Sequence, residues 1–124
     1  MNNMTRLLCL LLLSTIALLA DVTGKWSGSF DITGPNGQVD SNTAFLILKQ
    51  DGNSVTGTAG PNESEQNDIR AGKVDGNKIT FEIALPNGSV IKFDLLLADE
   101  HIKGSASGEH EGQKLTAKLD VTRK

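Results

Sequence analysis

From residue 21 onward, apolar and polar residues alternate with period two in runs of about seven to ten residues, the pattern of strands that bury one face. Eight such runs follow one another: Lys25–Ile32, Thr43–Gln50, Ser54–Gly60, Asp68–Asp75, Lys78–Leu85, Ser89–Ala98, His101–Glu109 and Gln113–Arg123. Between them lie Gly34-Pro35-Asn36-Gly37, Asp51-Gly52-Asn53, Gly60-Pro61-Asn62, Asp75-Gly76-Asn77, Pro86-Asn87-Gly88, Asp99-Glu100 and Glu111-Gly112. These residues tolerate the backbone of tight hairpin turns. Parallel neighbours need a connection of about a dozen residues, so the short turns predict antiparallel neighbours in an up-and-down meander. The alternation turns one face inward: Trp26, Phe30 and Ile32 at the start, Phe81 and its neighbours Ile79, Ile83 and Leu85, then Ile91, Phe93, Leu95 and Leu97, and finally Leu115, Ala117, Leu119 and Val121.

An open meander of this length exposes two edge strands and buries its apolar face poorly, and closing the sheet removes both faults. The expected fold is therefore all-β: an eight-stranded antiparallel up-and-down meander closed into a small barrel. Closure sets the last strand beside the first and brings Arg123 next to Trp26. Arg123 shares parity with Leu115, Leu119 and Val121, so it points inward, where an indole face accepts a guanidinium at a gain of about 1–2 kcal/mol. Only Ala44-Phe45-Leu46-Ile47-Leu48 is apolar on both faces. Three readings of Phe45 and Ile47 stand open: an exposed patch, cover for one end of the barrel, or a different register.

With these elements in place the chain resembles the calycin superfamily of closed antiparallel barrels, which includes lipocalins, fatty-acid-binding proteins and avidins. Gly24-Lys25-Trp26 is similar to that family's Gly-x-Trp motif, and Arg123 is similar to the basic residue that packs across its tryptophan. The resemblance implies that Gly24, Trp26 and Arg123 close the barrel. It does not extend to an avidin-type biotin pocket, which uses several tryptophans and a tyrosine, because this chain has one Trp and no Tyr.

Residues 1–20 read as an export signal in which Arg6 is the only charge and Leu7–Ala20 is the apolar run. That run falls short of the roughly 20 apolar residues that span a bilayer. Cleavage after Ala20, or alternatively after Ala17, leaves a single barrel domain over residues 21–124, secreted or periplasmic and without a stable membrane anchor. Cys9 departs with the signal, so stability rests on burial and strand pairing and not on disulfides. Of 12 basic and 15 acidic residues in the whole chain, only Arg6 lies in the signal, which leaves 11 basic residues and a net charge near −4. Nucleic acid is excluded as a partner, since its binding calls for clustered Lys and Arg.

Gly104-Ser105-Ala106-Ser107-Gly108 is reminiscent of a nucleophile elbow, but Ala106 stands where the serine would be and no helix follows. It reads instead as a strand of small residues. His101 and His110 are an odd number of residues apart and face opposite ways, so they share no metal. Glu109-His110-Glu111 and Asp99-Glu100-His101 are consecutive residues that do not converge and read as solvated turns. Glu82 and Asp94 alternate outward, toward Lys92 or Lys78. The acidic stretch Glu63–Asp68 is the longest loop. Asn62-Glu63-Ser64 and Asn87-Gly88-Ser89 match glycosylation acceptors in a eukaryotic setting.

No catalytic constellation, cofactor or metal is expected. Eight strands enclose an interior that side chains fill or that holds one small ligand, and inward Gly28, Gly57, Gly104, Ala106 and Ala117 leave room. The expected function is therefore non-enzymatic binding of a small apolar or amphipathic ligand at the open end, away from Trp26 and Arg123. Phe30, Gly57, Phe81, Phe93 and Ala106 are the candidate contacts. The alternative is a protein-binding or inhibitor module with a filled barrel, acting through Gly60–Asp68 or through Phe45 and Ile47.

Overall fold

The computed structural model describes residues 21–124; the expected export signal, Cys9 included, lies outside the described residues, as does the side chain of His110. Eight strands follow in order: β1 (Gly24–Thr33), β2 (Val39–Asp51), β3 (Ser54–Gly60), β4 (Asn67–Asp75), β5 (Lys78–Ala84), β6 (Val90–Ala98), β7 (His101–His110) and β8 (Gln113–Arg123). Each pairs antiparallel with the next and β8 returns to β1, so the meander is a closed barrel. β2 starts four residues earlier than its apolar run, because Val39 to Asn42 continue the ladder opposite Phe30 to Thr33. Polar residues are tolerated there because backbone pairing alone holds them. The chain between β1 and β2 is consequently a tight turn, with the Gly34 N–H donating to the Gln38 carbonyl at 2.8 Å.

Closing so small a sheet requires strong local bending. β4 supplies much of it: its register shifts against both neighbours, between Val55 and Thr58 on β3 and between Arg70 and Lys73 along β4 itself. Bulges of this kind bend a strand and increase its twist. Ala71 takes the left-handed conformation at this point, φ 54°, which costs a residue with a Cβ about 1–2 kcal/mol. Ala71→Gly is therefore expected to stabilise the protein by about 0.5–1 kcal/mol, after the extra chain entropy of glycine is counted. Chemical denaturation checks this, and a lower midpoint for the variant would contradict the strain.

One end of the barrel is shut by the segment Asp21–Trp26 together with Glu100 and Arg123. Trp26 is fully buried opposite Arg123 in the β1–β8 ladder, and the guanidinium carbon lies 4.3 Å from the ring centroid. The same guanidinium donates to the carbonyls of Thr23 at 2.6 Å and Asp21 at 3.0 Å and to the Glu100 carboxylate at 2.7 Å. Val22, also fully buried, accepts the indole N–H on its carbonyl at 3.0 Å. Its own N–H donates to the Gln50 side chain. Asp21, capped by the backbone N–H and hydroxyl of Thr23, keeps its carboxyl below the ordinary range. Gly24 has φ 142°, and a Cβ there would stand 2.9 Å from the Arg123 guanidinium; the turn into β1 leaves that space to the arginine.

Phe45 points outward yet is only 6 % exposed, and it stands apart from the core cluster. Its cover comes from the 61–66 loop, which folds back along the outside of β2. Gln66 donates to the Phe45 carbonyl at 3.0 Å and accepts from the Thr58 hydroxyl at 2.7 Å, and Thr43 donates to the Pro61 carbonyl. Glu63 pairs with Lys25 at 3.1 Å, and the lysine's hydrogen bond holds that carboxyl below its ordinary value. The Lys124 ammonium lies over the Phe45 ring at 5.2 Å. Of the three readings of this doubly apolar strand, none describes Phe45: the register is as the alternation implies, and the outward ring is buried, with Lys124 over it and the 61–66 loop bonded to its backbone. Elsewhere outside, Asp94 pairs with Lys78 at 3.8 Å, while Glu82 faces Lys92 in the ladder but meets Arg70 at 3.4 Å.

Candidate functional site

Strand direction places the 34–38, 85–89 and 111–112 turns and the base of the 61–66 loop around the end opposite Trp26. Here the interior is not filled. Three phenylalanines stack across it: Phe81 on Phe93 with centroids 4.6 Å apart, and Phe93 on Phe30 at 6.0 Å. Phe81 is buried, whereas Phe30 is only partly covered, so the stack runs from the packed half of the barrel toward its mouth. Offset stacking of this kind adds about 0.5–1.5 kcal/mol per pair beyond burial.

Above this floor the open end holds two apolar lobes of about 210 and 250 Å³. They share Phe30, Ile32, Leu85 and Ile91 as common wall. The first extends toward β7 and β8, past Ala106, Gly108, Leu115 and Ala117. The second extends toward β2 and β3, past Ala44, Leu46 and Ala59, with Asn42, Thr43 and Asn67 as its polar wall. The 85–89 turn fixes the rim: the Leu85 N–H donates to the Ser89 carbonyl at 2.8 Å and the Gly88 N–H to the Leu85 carbonyl at 3.0 Å. An apolar cavity of about 150 Å³ is enough to hold benzene, so either lobe admits a ring or a short alkyl chain.

The sequence-derived contact residues fall in different places. Phe30 and Phe93 line the second lobe, and Phe30 and Ala106 line the first. Phe81 lies beneath Phe93 and touches neither lobe. Gly57 is also apart from both; a Cβ built on it would lie 1.9 Å from the Ile47 carbonyl oxygen, and its φ is 139°. The space expected beside Gly57 is thus occupied by β2 backbone. Gly28 and Gly104 are alike, with a Cβ meeting the Asp120 carbonyl oxygen at 2.0 Å and the Asp94 carbonyl oxygen at 2.3 Å. Sequence reasoning did not single out Ile32, Leu85 and Ile91 as contacts. Their place at the mouth ends of inward-facing strands was the signal available.

The other candidate chemistry resolves into structural contacts. Ser105 and Ser107 lie within β7, with no turn between them. His101 Nδ1 is 3.2 Å from the Asp120 carboxylate, on the outer face, and Lys103 reaches the same carboxylate at 3.9 Å. Glu100, in the turn before it, anchors Arg123. Asn62 uses its side-chain oxygen to accept from the Ser64 and Glu65 N–H groups at 3.1 and 2.9 Å, which shapes the strap. Among the described residues no three His, Cys, Asp or Glu side chains gather as a metal site would require. No family model matches the chain, and no curated protein or solved structure matches it.

Proposed function

We propose that this protein is an exported, calycin-like barrel that binds a small apolar or amphipathic molecule non-enzymatically, in the recess at its open end. One observation carries the reading: the closed end is packed around Trp26 and latched by the hydrogen bonds of Arg123, while the open end leaves two adjoining apolar lobes unfilled beneath a ring of turns. Apolar side chains at such a recess lose hydration when a ligand enters, at about 25 cal/mol per Å² removed from water. The lobes are small against the roughly 300–1,000 Å³ of pockets for drug-sized molecules. A short-chain or single-ring ligand suits them. The arrangement of Gly24, Trp26 and Arg123 supports the calycin likeness, as do the strand number and closure.

A surface role through the Phe45 and Ile47 face has less support, because the 61–66 strap already occupies Phe45. Titration calorimetry with an apolar fluorescent dye tests the proposal. Uptake of a single equivalent is expected, with no effect of a chelator, and Ala106→Leu should reduce it by filling the first lobe while circular dichroism stays native. No uptake of any apolar probe, together with retention of a partner protein on immobilised barrel, would favour the loop-mediated alternative.

A further inference from the structure

We infer that the second lobe receives an apolar molecule bearing one uncharged hydrogen-bonding group, an alcohol or an amide, which the side chains of Asn67 and Asn42 hold. This rests on the reading of the open end as a ligand site and concerns which ligands it takes. Residues directly opposite one another in a ladder share a face of the sheet. Asn67, the first residue of β4, pairs with Ala59 of the buried core, and Asn42 pairs with Phe30, which packs against that core. Both carboxamides are therefore carried on the inner face, and both residues line the lobe. Thr43 borders it too, but pairs with Ser29, and its hydroxyl donates to the Pro61 carbonyl at 2.7 Å. That hydroxyl belongs to the strap.

Among the described residues the Asn67 carboxamide has no hydrogen-bond partner, and that of Asn42 donates only to the Asp40 carbonyl, at 3.2 Å, which leaves its oxygen open. Asn67 is half-buried and Asn42 exposed, so Asn67 is the inner contact and Asn42 the one at the rim. No charged side chain lines this lobe among the described residues. Asp40, on the same face beyond Asn42, is exposed and is not part of the wall. A hydrocarbon filling the lobe strips water from Asn67 and returns no hydrogen bond, and an ion gives up its own hydration without meeting a counter-charge. A hydroxyl or amide avoids both losses. Its oxygen accepts from the Asn67 N–H and its own hydrogen is donated to a carboxamide oxygen, while the ring or chain lies against Phe30 and Phe93.

Four single-ring probes separate the polar group from the ring: benzyl alcohol, ethylbenzene, phenylacetate and benzylammonium, each titrated at neutral pH. Benzyl alcohol should bind more tightly than either ion. Asn67→Leu, which puts an apolar group of the same branching in place of the carboxamide, should weaken benzyl alcohol about three- to tenfold, the scale of one uncharged hydrogen bond, and leave ethylbenzene unchanged or tighter. Asn42→Leu should act in the same direction, by less. Asn67→Asp keeps the shape and adds a charge, and should turn the preference toward benzylammonium. Circular dichroism checks the fold of each variant; should Asn67→Leu not fold, a benzyl alcohol preference that survives Asn67→Asp would overturn the assignment. Unchanged benzyl alcohol affinity in Asn67→Leu, a loss shared equally by ethylbenzene, or either ion bound as tightly as benzyl alcohol by the unaltered protein would overturn the selection and leave the apolar site standing. Failure of both ethylbenzene and benzyl alcohol to bind would remove the site, and the selection with it.

Discussion

Gly104→Ala is expected to lower stability by about 3 kcal/mol, whereas Gly108→Ala, further along the same strand, should change it little. Neither position needs an unusual backbone; the difference lies in what a methyl group meets. At Gly104 a Cβ would lie 2.3 Å from the Asp94 carbonyl oxygen and 2.7 Å from the Leu95 Cα, both in the backbone of β6. Backbone cannot step aside without parting the β6–β7 ladder. At Gly108 the nearest atom is 3.4 Å away, at the mouth end of the strand, where side chains are only partly covered. A domain of this size loses roughly 4–8 °C of Tm per kcal/mol, so calorimetric melting should separate the two variants by about 12–24 °C. Equal melting temperatures would mean that β6 and β7 do not approach as closely as described.

The second large effect is expected at the closed end. Arg123→Ala removes a cation–π contact worth about 1–2 kcal/mol and leaves the carbonyls of Asp21 and Thr23 without their donor. Partial exposure of the arginine side chain tempers the loss, and a net destabilisation of about 2–3 kcal/mol is expected. Water then reaches the indole, so Trp26 emission should shift to the red in the folded protein. Arg123→Lys restores a charge without the fork that reaches two carbonyls and a carboxylate at once, and should recover only part of the stability. Unchanged emission and unchanged melting in Arg123→Ala would remove the guanidinium from the role of latch.

Much of this architecture is legible from periodicity. β5, β6 and β8 alternate cleanly, and Ile79, Phe81, Leu95, Leu119 and Val121 are buried as their parity implies. The turns imply a meander, the two exposed edges of an open meander imply its closure, and closure pairs Trp26 with Arg123. What periodicity does not carry is the distance between neighbouring strands. It gives the face on which Gly28, Gly57 and Gly104 lie, but a glycine reads alike whether it leaves a void or admits a neighbour's backbone; here it admits backbone. The strap over Phe45 is illegible for another reason. Its cover consists of polar residues whose hydrogen bonds, such as Gln66 to the Phe45 carbonyl, repeat at no period. At the recess, the alternation identifies Phe30, Ile32, Leu85 and Ile91 as inward and strand direction puts them toward the mouth, but neither tells Phe93, which lines a lobe, from its ladder partner Phe81, which does not.

The ladder between β8 and β1 joins eight residue pairs, from Trp26 with Arg123 to Thr33 with Thr116, and the Lys124 N–H donates to the Lys25 carbonyl just beyond it. The first and last strands are thus neighbours on the same terms as any two strands joined by a turn. The order of the strands is cyclic. In residues 21–124 produced alone, a linker from Lys124 to Asp21 would bridge a seam that non-covalent contacts already hold, and the chain could be opened at the Asn36-Gly37 turn instead. Such a circular permutant would carry its new ends at the mouth, beside the recess, and its former ends in a covalent loop over Trp26.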